Sequence, residues 1–170
     1  MIIDLITLRN SPFNFEYSLA PDEVDMGSDE AKLKNAVEIK GELTKHIAQT
    51  DIEGEIFAEI EVECSRCLQT ADERLTIPFS VSYVTPELYT EEKESELGAD
   101  DLQVSIFDGA AININELVRE QILLNTPEQI FCREDCQGLC QQCGANRNLI
   151  DCKCIEKEID PRWAKLKEIK

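Results

Sequence analysis

Hydrophobic and polar residues alternate along several stretches of the chain. Residues 36–48 and 52–63 place apolar and polar side chains on opposite faces at a period of two, and the polar run Gln49–Thr50–Asp51 lies between them. This pattern predicts a β-hairpin with one solvated face. A third strand is predicted over 74–84. The apolar residues that share a phase are Val37, Ile39, Leu43 and Ile47 in the first stretch and Ile52, Ile56, Ala58, Ile60 and Val62 in the second.

Shorter strands are predicted over 2–8 and 102–107, and residues 86–101 form an acidic stretch that is typical of a solvated loop. Residues 113–124 have helical spacing, with Asn113 or Asn115 as the cap and Pro127 beyond the end. We therefore predict an α+β fold, in which an antiparallel β-sheet or partly closed barrel carries few helices. A short C-terminal helix is expected to begin at Asp160-Pro161.

Length and charge divide the chain into two predicted parts. Residues 1–127 form an acidic sheet body, and residues 128–170 form a cysteine-rich module that we expect to pack on it. The formal charge of −18 lies entirely in the first part, since the second carries eight basic and eight acidic residues. Such a body repels nucleic acid and attracts basic proteins, although solubility alone is an equally good reason for its charge.

No stretch of the sequence approaches the roughly 20 apolar residues of a membrane span, so no membrane association is expected. The N-terminus has no basic segment of the kind that precedes a signal sequence. We therefore expect a cytoplasmic protein. In a reducing compartment, clustered cysteines favour metal or redox chemistry over disulfides.

The eight cysteines occur as four close pairs. Zinc binds four thiolates in a tetrahedron, and one Cys-x-x-Cys turn supplies two of them. Gly144 follows Cys143 directly, where the backbone of such a turn needs a positive φ. The C-x2-C-x8-C-x-C spacing therefore predicts a structural zinc site. Its ligands are Cys140, Cys143, Cys152 and Cys154.

The other four cysteines could complete a second zinc site. Cys64 and Cys67 lie at the turn between two predicted strands, far in sequence from Cys132 and Cys136. An iron–sulfur cluster could use the same ligands, and one Cys-x-x-Cys pair could instead serve thiol redox chemistry. Neither Cys-x-x-Cys pair opens an evident helix, which disfavours the redox reading. His46 is the only histidine and is expected at the surface.

Three segments resemble the YceD family of large ribosomal RNA subunit accumulation proteins. They are Cys64-Ser-Arg-Cys67-Leu68, the run from Cys132 to Leu149 with Cys152-Lys-Cys154, and Asp160-Pro161-Arg162-Trp163. The resemblance implies a non-enzymatic factor that is needed for accumulation of 23S rRNA and for large-subunit assembly.

From the charge and the resemblance together, we expect a basic ribosomal protein or a ribosome assembly factor as partner, with rRNA as a further candidate. No small-molecule substrate is expected. Two alternatives stay open at this point: a thiol-based redox protein that uses a Cys-x-x-Cys pair, and a zinc-ribbon adaptor with no connection to ribosomes.

Overall fold

The fold is taken from a computed structural model, which describes residues 1–8, 11–27, 31–47, 49–86 and 104–154. In this part of the chain there are eight strands and one α-helix, with one 3-10 turn at Pro21–Glu23. The strands are β1 (Ile2–Asp4), β2 (Phe13–Leu19), β3 (Ala31–Leu33), β4 (Val37–Lys45), β5 (Gln49–Glu63), β6 (Thr70–Val84), β7 (Val104–Ile106) and β8 (Ala111–Asn113), and the helix is α1 (Ile114–Asn125).

Six of the strands form one sheet. Five of them follow one another in the order β2-β4-β5-β6-β7, and β3 pairs with the second half of β5, beyond the part that pairs with β4. All pairs are antiparallel except β6 and β7, which are parallel. In the described chain β2 and β7 do not pair with each other, so the sheet stays open. The prediction of a sheet is confirmed, whereas the alternative of a partly closed barrel is wrong.

One face of this sheet is apolar and forms the core. Its alternate residues are buried along β4, β5 and β6, and helix α1 packs against β6 and β1. The two-stranded pair of β1 and β8 leads directly into the helix. The helix buries the four apolar residues of its inner stripe, Ile114, Leu117, Val118 and Ile122. The opposite face of the sheet is left polar.

The central hairpin is longer than its sequence pattern predicted. Gln49–Thr50–Asp51 was expected to be the turn, but all three residues belong to β5, and Thr50 is buried opposite Tyr83. Strand β4 ends at Lys45 and β5 begins at Gln49, and the N–H of His46 donates to the carbonyl of Gln49 between them. Ile47 therefore lies fully exposed in the turn and not on the apolar face. β6 likewise begins at Thr70, four residues before the predicted strand.

Helix α1 confirms the predicted helix and one of its two candidate caps. The side chain of Asn113 accepts a hydrogen bond from the backbone N–H of Asn115, which satisfies one of the free donors of the first turn. The strand predicted over 2–8 is only the three residues of β1, and the strand predicted over 102–107 is β7. Strands β2, β3 and β8 were not predicted.

Two further predictions lie outside the described residues: most of the acidic loop over 86–101 and the C-terminal helix that begins at Asp160. The division of the chain at residue 127 stays a prediction. Within the described residues, no helix is long and apolar enough to cross a membrane.

Gly41 and Gly54 face each other across β4 and β5 in the middle of the sheet. A Cβ atom on Gly41 would come within 2.8 Å of Cζ of Phe15, and a Cβ atom on Gly54 would come within 2.8 Å of the Cα of Gly41. The close approach of the two strands at this point therefore requires glycine in both of them.

We expect the substitution Gly54→Ala to lower the free energy of unfolding by about 2 kcal/mol, because the added methyl group overlaps the backbone of Lys40 and Gly41. Urea unfolding at constant metal concentration measures the change. The control is Glu55→Ala. Glu55 is the next residue of β5 and lies on the opposite, exposed face, so this substitution should lower the free energy of unfolding by less than about 0.5 kcal/mol. Equal losses in the two variants would contradict the close-approach argument.

Candidate metal centres

The structure gathers all eight cysteines into two groups of four. The inner tetrad consists of Cys64, Cys67, Cys132 and Cys136, and the outer tetrad consists of Cys140, Cys143, Cys152 and Cys154. Within each tetrad, all four Sγ atoms lie within 4.8 Å of one another. Each tetrad is thus made of the close sequence pairs that were predicted, and the pairing of Cys132 and Cys136 with the distant Cys64 and Cys67 is now visible.

The sulfur spacing of the inner tetrad suits a single tetrahedral ion. The Sγ atoms of Cys64 and Cys136 are 3.8 Å apart, and those of Cys67 and Cys132 are 3.6 Å apart. With Zn–S bonds of about 2.3 Å, the edge of a ZnS4 tetrahedron is about 3.8 Å. The distances are too long for disulfide bonds, and all eight cysteines are free thiols.

Burial distinguishes the two tetrads. Cys64, Cys67 and Cys136 are buried and Cys132 is partly buried. In the outer tetrad, Cys140 and Cys152 are partly buried, while Cys143 and Cys154 are exposed. An ion in the inner tetrad would be shielded from water and chelators, whereas an ion in the outer tetrad would be accessible to both.

The two Cys-x-x-Cys turns have the same backbone hydrogen bonds. In the first turn, Leu68 N–H donates to the carbonyl of Cys64 and Cys64 N–H donates to the carbonyl of Gln69. In the second turn, Gly144 N–H donates to the carbonyl of Cys140, and Cys140 N–H donates to the carbonyl of Ala145. The first bond of each turn is 2.9 Å long and the second is 2.8 Å long. We call these turns the first knuckle (residues 64–69) and the second knuckle (residues 140–145).

Both knuckles also require a left-handed residue at the same place. Gly144 has φ of 71° and Leu68 has φ of 59°. Glycine adopts this conformation without strain, whereas a residue with a Cβ atom pays about 1–2 kcal/mol for it. The positive φ predicted at Gly144 is confirmed. Among the described residues, Leu68 is the one residue other than glycine with a positive φ.

The first knuckle connects the tips of β5 and β6, and the later cysteines are bound to it by hydrogen bonds. Ser65 N–H donates to the carbonyl of Ile130, and Ile130 N–H donates to Oγ of Ser65. The guanidinium group of Arg66 donates to the carbonyl of Cys136 and lies 4.0 Å from the centre of the Phe131 ring. These contacts hold Cys132 and Cys136 over the knuckle.

Asn148 connects the two tetrads. It lies in the loop between the second knuckle and Cys152, yet its Nδ2 donates to Sγ of Cys136 at 3.3 Å. Its Oδ1 accepts from the N–H of Gln137 at 2.8 Å, and Asn146 accepts from both its backbone and its side chain. An N–H donor to a ligand sulfur stabilises the thiolate form and orients it. The loop of the outer tetrad therefore supports a ligand of the inner one.

Within the inner tetrad, the surroundings lower the pKa of one thiol and raise that of another. Burial by itself raises the pKa of Cys64, but backbone N–H groups of Cys132, Arg66 and Cys67 outweigh it and lower the pKa to about 6. For Cys132, burial and the neighbouring thiols of Cys67 and Cys136 raise the pKa to about 12. The site therefore favours a thiolate at Cys64, while a full set of four thiolates needs a cation among them.

The outer tetrad has the same electrostatic arrangement. Backbone N–H groups of Cys143 and Gln142 lower the pKa of Cys140 to about 6. The hydrogen bond with Cys143 and, to a smaller extent, the loss of hydration raise the pKa of Cys154 to about 12. A divalent ion would supply the compensating charge, and because it would compete with protons for sulfur, its affinity would fall as pH falls.

Sequence reasoning found all eight cysteines but missed three residues around them: Asn148, Phe131 and the strained Leu68. Cysteine spacing shows which residues can be ligands, but not which side chains donate to their sulfurs from another loop. Leu68 and Asn148 were visible only as members of the two cysteine-containing segments that carry the family resemblance. His46, expected at the surface, is exposed and lies 3.1 Å from a carboxylate oxygen of Asp51.

Comparison with known proteins gives a family match that includes both tetrads. Residues 52–170 match the family described as "Large ribosomal RNA subunit accumulation protein YceD". The chain is 27% identical over 169 residues to the uncharacterised protein YlbN of Bacillus subtilis, and this covers 99% of the chain and 94% of YlbN. No solved structure matches the chain significantly.

Mycobacterial proteins are also similar, but they are longer. A Mycobacterium tuberculosis protein is 31% identical over 120 residues, and a Mycobacterium leprae protein is 30% identical over 126 residues. Each alignment covers 69% of this chain, and the chain spans about half the length of these relatives, 54% and 52% respectively.

We expect two zinc ions per chain, and one after either Cys64→Ser or Cys154→Ser. Loss of the inner ion should lower the free energy of unfolding by more than about 2 kcal/mol, since it frees a segment with little apolar core of its own. Loss of the outer ion should cost about 1 kcal/mol or less. Metal analysis and urea unfolding measure the two effects. A wild-type chain without metal would contradict both assignments.

We expect Asn148→Ala to weaken metal binding at the inner tetrad about 10- to 100-fold, because Sγ of Cys136 loses its donor. Competition with a chromophoric chelator, in the Cys154→Ser background, isolates the inner ion. Asn125→Ala is the control, because the side chain of this asparagine donates to the carbonyl of Gln121 within helix α1. An unchanged affinity would show that Asn148 has no influence on the site.

Proposed function

Because the chain belongs to the YceD family, the large ribosomal RNA subunit accumulation proteins, we propose that it is a non-enzymatic factor in assembly of the large ribosomal subunit. In this proposal it binds a basic ribosomal protein or assembly factor and so promotes accumulation of 23S rRNA. The observation that carries the choice of partner is the acidic outer face of the sheet. We define this face by the exposed residues of β4, β5 and β6 that point away from the core.

Acidic side chains face one another across the strands of the outer face. Glu42 lies directly opposite Glu53, and Glu61 lies directly opposite Asp72. All four are exposed. Like charges in directly opposed positions destabilise a sheet. An ion pair with Lys34 compensates this repulsion at Asp72, which leaves Glu42 and Glu53 as the opposed carboxylates that weaken the fold. A basic partner would neutralise them, which supports a role for this face in binding.

The pKa of a lysine near this face reflects its negative charge. The ammonium group of Lys34 is paired with Asp72. That hydrogen bond raises the pKa of Lys34, and the charges of Glu59 and Glu61 act in the same direction. A surface of this sign repels RNA phosphates, so we propose that contact with rRNA through this face is indirect.

The proposed role of zinc is structural. Both tetrads offer four sulfurs at the spacing of one tetrahedral ion, which supports zinc over a cluster that distributes its thiolates among several iron atoms. The bound ion would add its binding free energy to the folding of residues 128–154. The low pKa of Cys64 and of Cys140 also occurs in redox thiols, but their place within tetrads supports a role as ligands.

The test is co-sedimentation of the tagged protein with precursor particles of the large subunit, at low and at moderate salt. We expect association that weakens as salt rises, because its main attraction is electrostatic. Glu53→Lys should weaken it about three- to tenfold. The same substitution also replaces the repulsion between Glu42 and residue 53 by attraction, so the fold should not be weakened.

The matched control is Glu120→Lys, which makes the same change in net charge at an exposed position of helix α1. It should leave co-sedimentation nearly unchanged. Absence of the protein from precursor particles at both salt concentrations would refute the proposed function. If the two substitutions weakened co-sedimentation equally, a ribosomal role would remain, but the outer face would not be the binding surface.

A further inference from the structure

The first knuckle keeps a leucine where its geometry favours glycine. The second knuckle has the same hydrogen bonds and has Gly144 at the equivalent position. Backbone geometry therefore gives no reason for a side chain at residue 68. Strain of this kind persists where the side chain serves a purpose that outweighs it.

That purpose is not burial, because 58% of Leu68 is exposed to solvent. Two residues earlier in the same turn, Arg66 is fixed between the carbonyl of Cys136 and the ring of Phe131, which is itself 36% exposed. Leu68 and Arg66 thus lie on the same turn, and Phe131 packs on the guanidinium group of Arg66 from the segment that precedes Cys132. Arginine is among the residues that most often anchor protein interfaces, and the exposed side chain of Leu68 adds apolar area beside Arg66 in the same turn.

The first knuckle is also the end of the acidic outer face, because it connects β5 to β6. Glu61 and Glu63 lie at the end of β5, and Asp72, which is paired with Lys34, lies near the start of β6; all three carboxylates are exposed. A polyanion such as RNA would meet repulsion here. A protein segment with cationic side chains would be attracted, and an apolar side chain within it could pack against Leu68.

We propose that the first knuckle is the anchor site for a basic protein segment, in which one apolar side chain of the segment contacts Leu68 and its cations lie along the adjacent ends of β5 and β6. The proposal rests on the proposed function, of which it specifies the contact surface. It assigns the strained leucine a role in binding and not in folding.

The test pairs two peptides with four proteins. One peptide alternates lysine and serine, and in the other a central serine is replaced by phenylalanine. The proteins are the zinc-loaded wild type, Leu68→Ala, Leu68→Gly and the control Leu124→Ala, which truncates a leucine on helix α1 that is even more exposed than Leu68. Fluorescence anisotropy of the labelled peptides gives the affinities.

We expect the phenylalanine to tighten binding about fivefold to the wild type and to Leu124→Ala, and less than about twofold to the two Leu68 variants. The lysines should contribute equally to all four proteins. Leu68→Gly should unfold at the same temperature as the wild type or a higher one, since it relieves the left-handed strain. Weaker binding by a protein that is no less stable separates contact from damage to the fold.

Several results would overturn the proposal. One is a phenylalanine peptide that binds no tighter than its parent, or that is weakened equally by the control. Another is a loss of binding to a single-stranded RNA, or a loss of self-association, upon Leu68→Gly. A third is a shift in the emission of Trp163, the only tryptophan, in free Leu68→Gly, which would identify the C-terminal segment as the occupant. Unchanged co-sedimentation of Leu68→Gly with precursor particles would remove this surface while leaving the proposed function in place.

Discussion

Four cysteine sulfurs within 4.8 Å of one another impose the constraint on which the C-terminal part of the described structure depends. As thiolates they repel, and as thiols they give little attraction, so a cation between them would stabilise their convergence. In the inner tetrad, this convergence joins the turn of the β5–β6 hairpin to residues more than 60 positions later in the chain. Between Cys132 and Cys154, only Cys136 and Gly138 are fully buried, so this segment has little apolar core to fold upon.

The two tetrads are unequal partners in this arrangement. The inner one is buried, rests on the long hairpin and receives hydrogen bonds from several segments. The outer one is half exposed and belongs to a loop that folds back on itself. Asn148 makes the relationship asymmetric, because the outer loop donates to a sulfur of the inner site. Order in the outer loop should therefore tighten the inner site.

The parts of the fold that could be predicted from sequence are those with local causes. Period-two alternation located β4, β5 and β6, and a polar cap with an apolar stripe located helix α1. The turn between β4 and β5 was misplaced because Thr50 and its neighbours are polar, yet a polar residue can be buried in a strand. β2 shows the same alternation at Phe13, Phe15, Tyr17 and Leu19 and could have been found. The placement of Cys64 and Cys136 in the same tetrad could not have been predicted, because it depends on how distant segments of the chain pack together.

Two exceptions to the rules of stable folding lie on the outer face of the sheet and on the first knuckle, which connects two of its strands. Opposed carboxylates on the outer face weaken the sheet, and Leu68 adopts a backbone conformation that favours glycine. Each exception would be removed by a single substitution that leaves the core untouched, so neither is a consequence of the fold. Exceptions that a structure tolerates without structural benefit tend to mark functional surfaces. The rigid support beneath both, provided by the long β5–β6 hairpin and the inner tetrad, is what such a surface needs to bind a partner without reorganising.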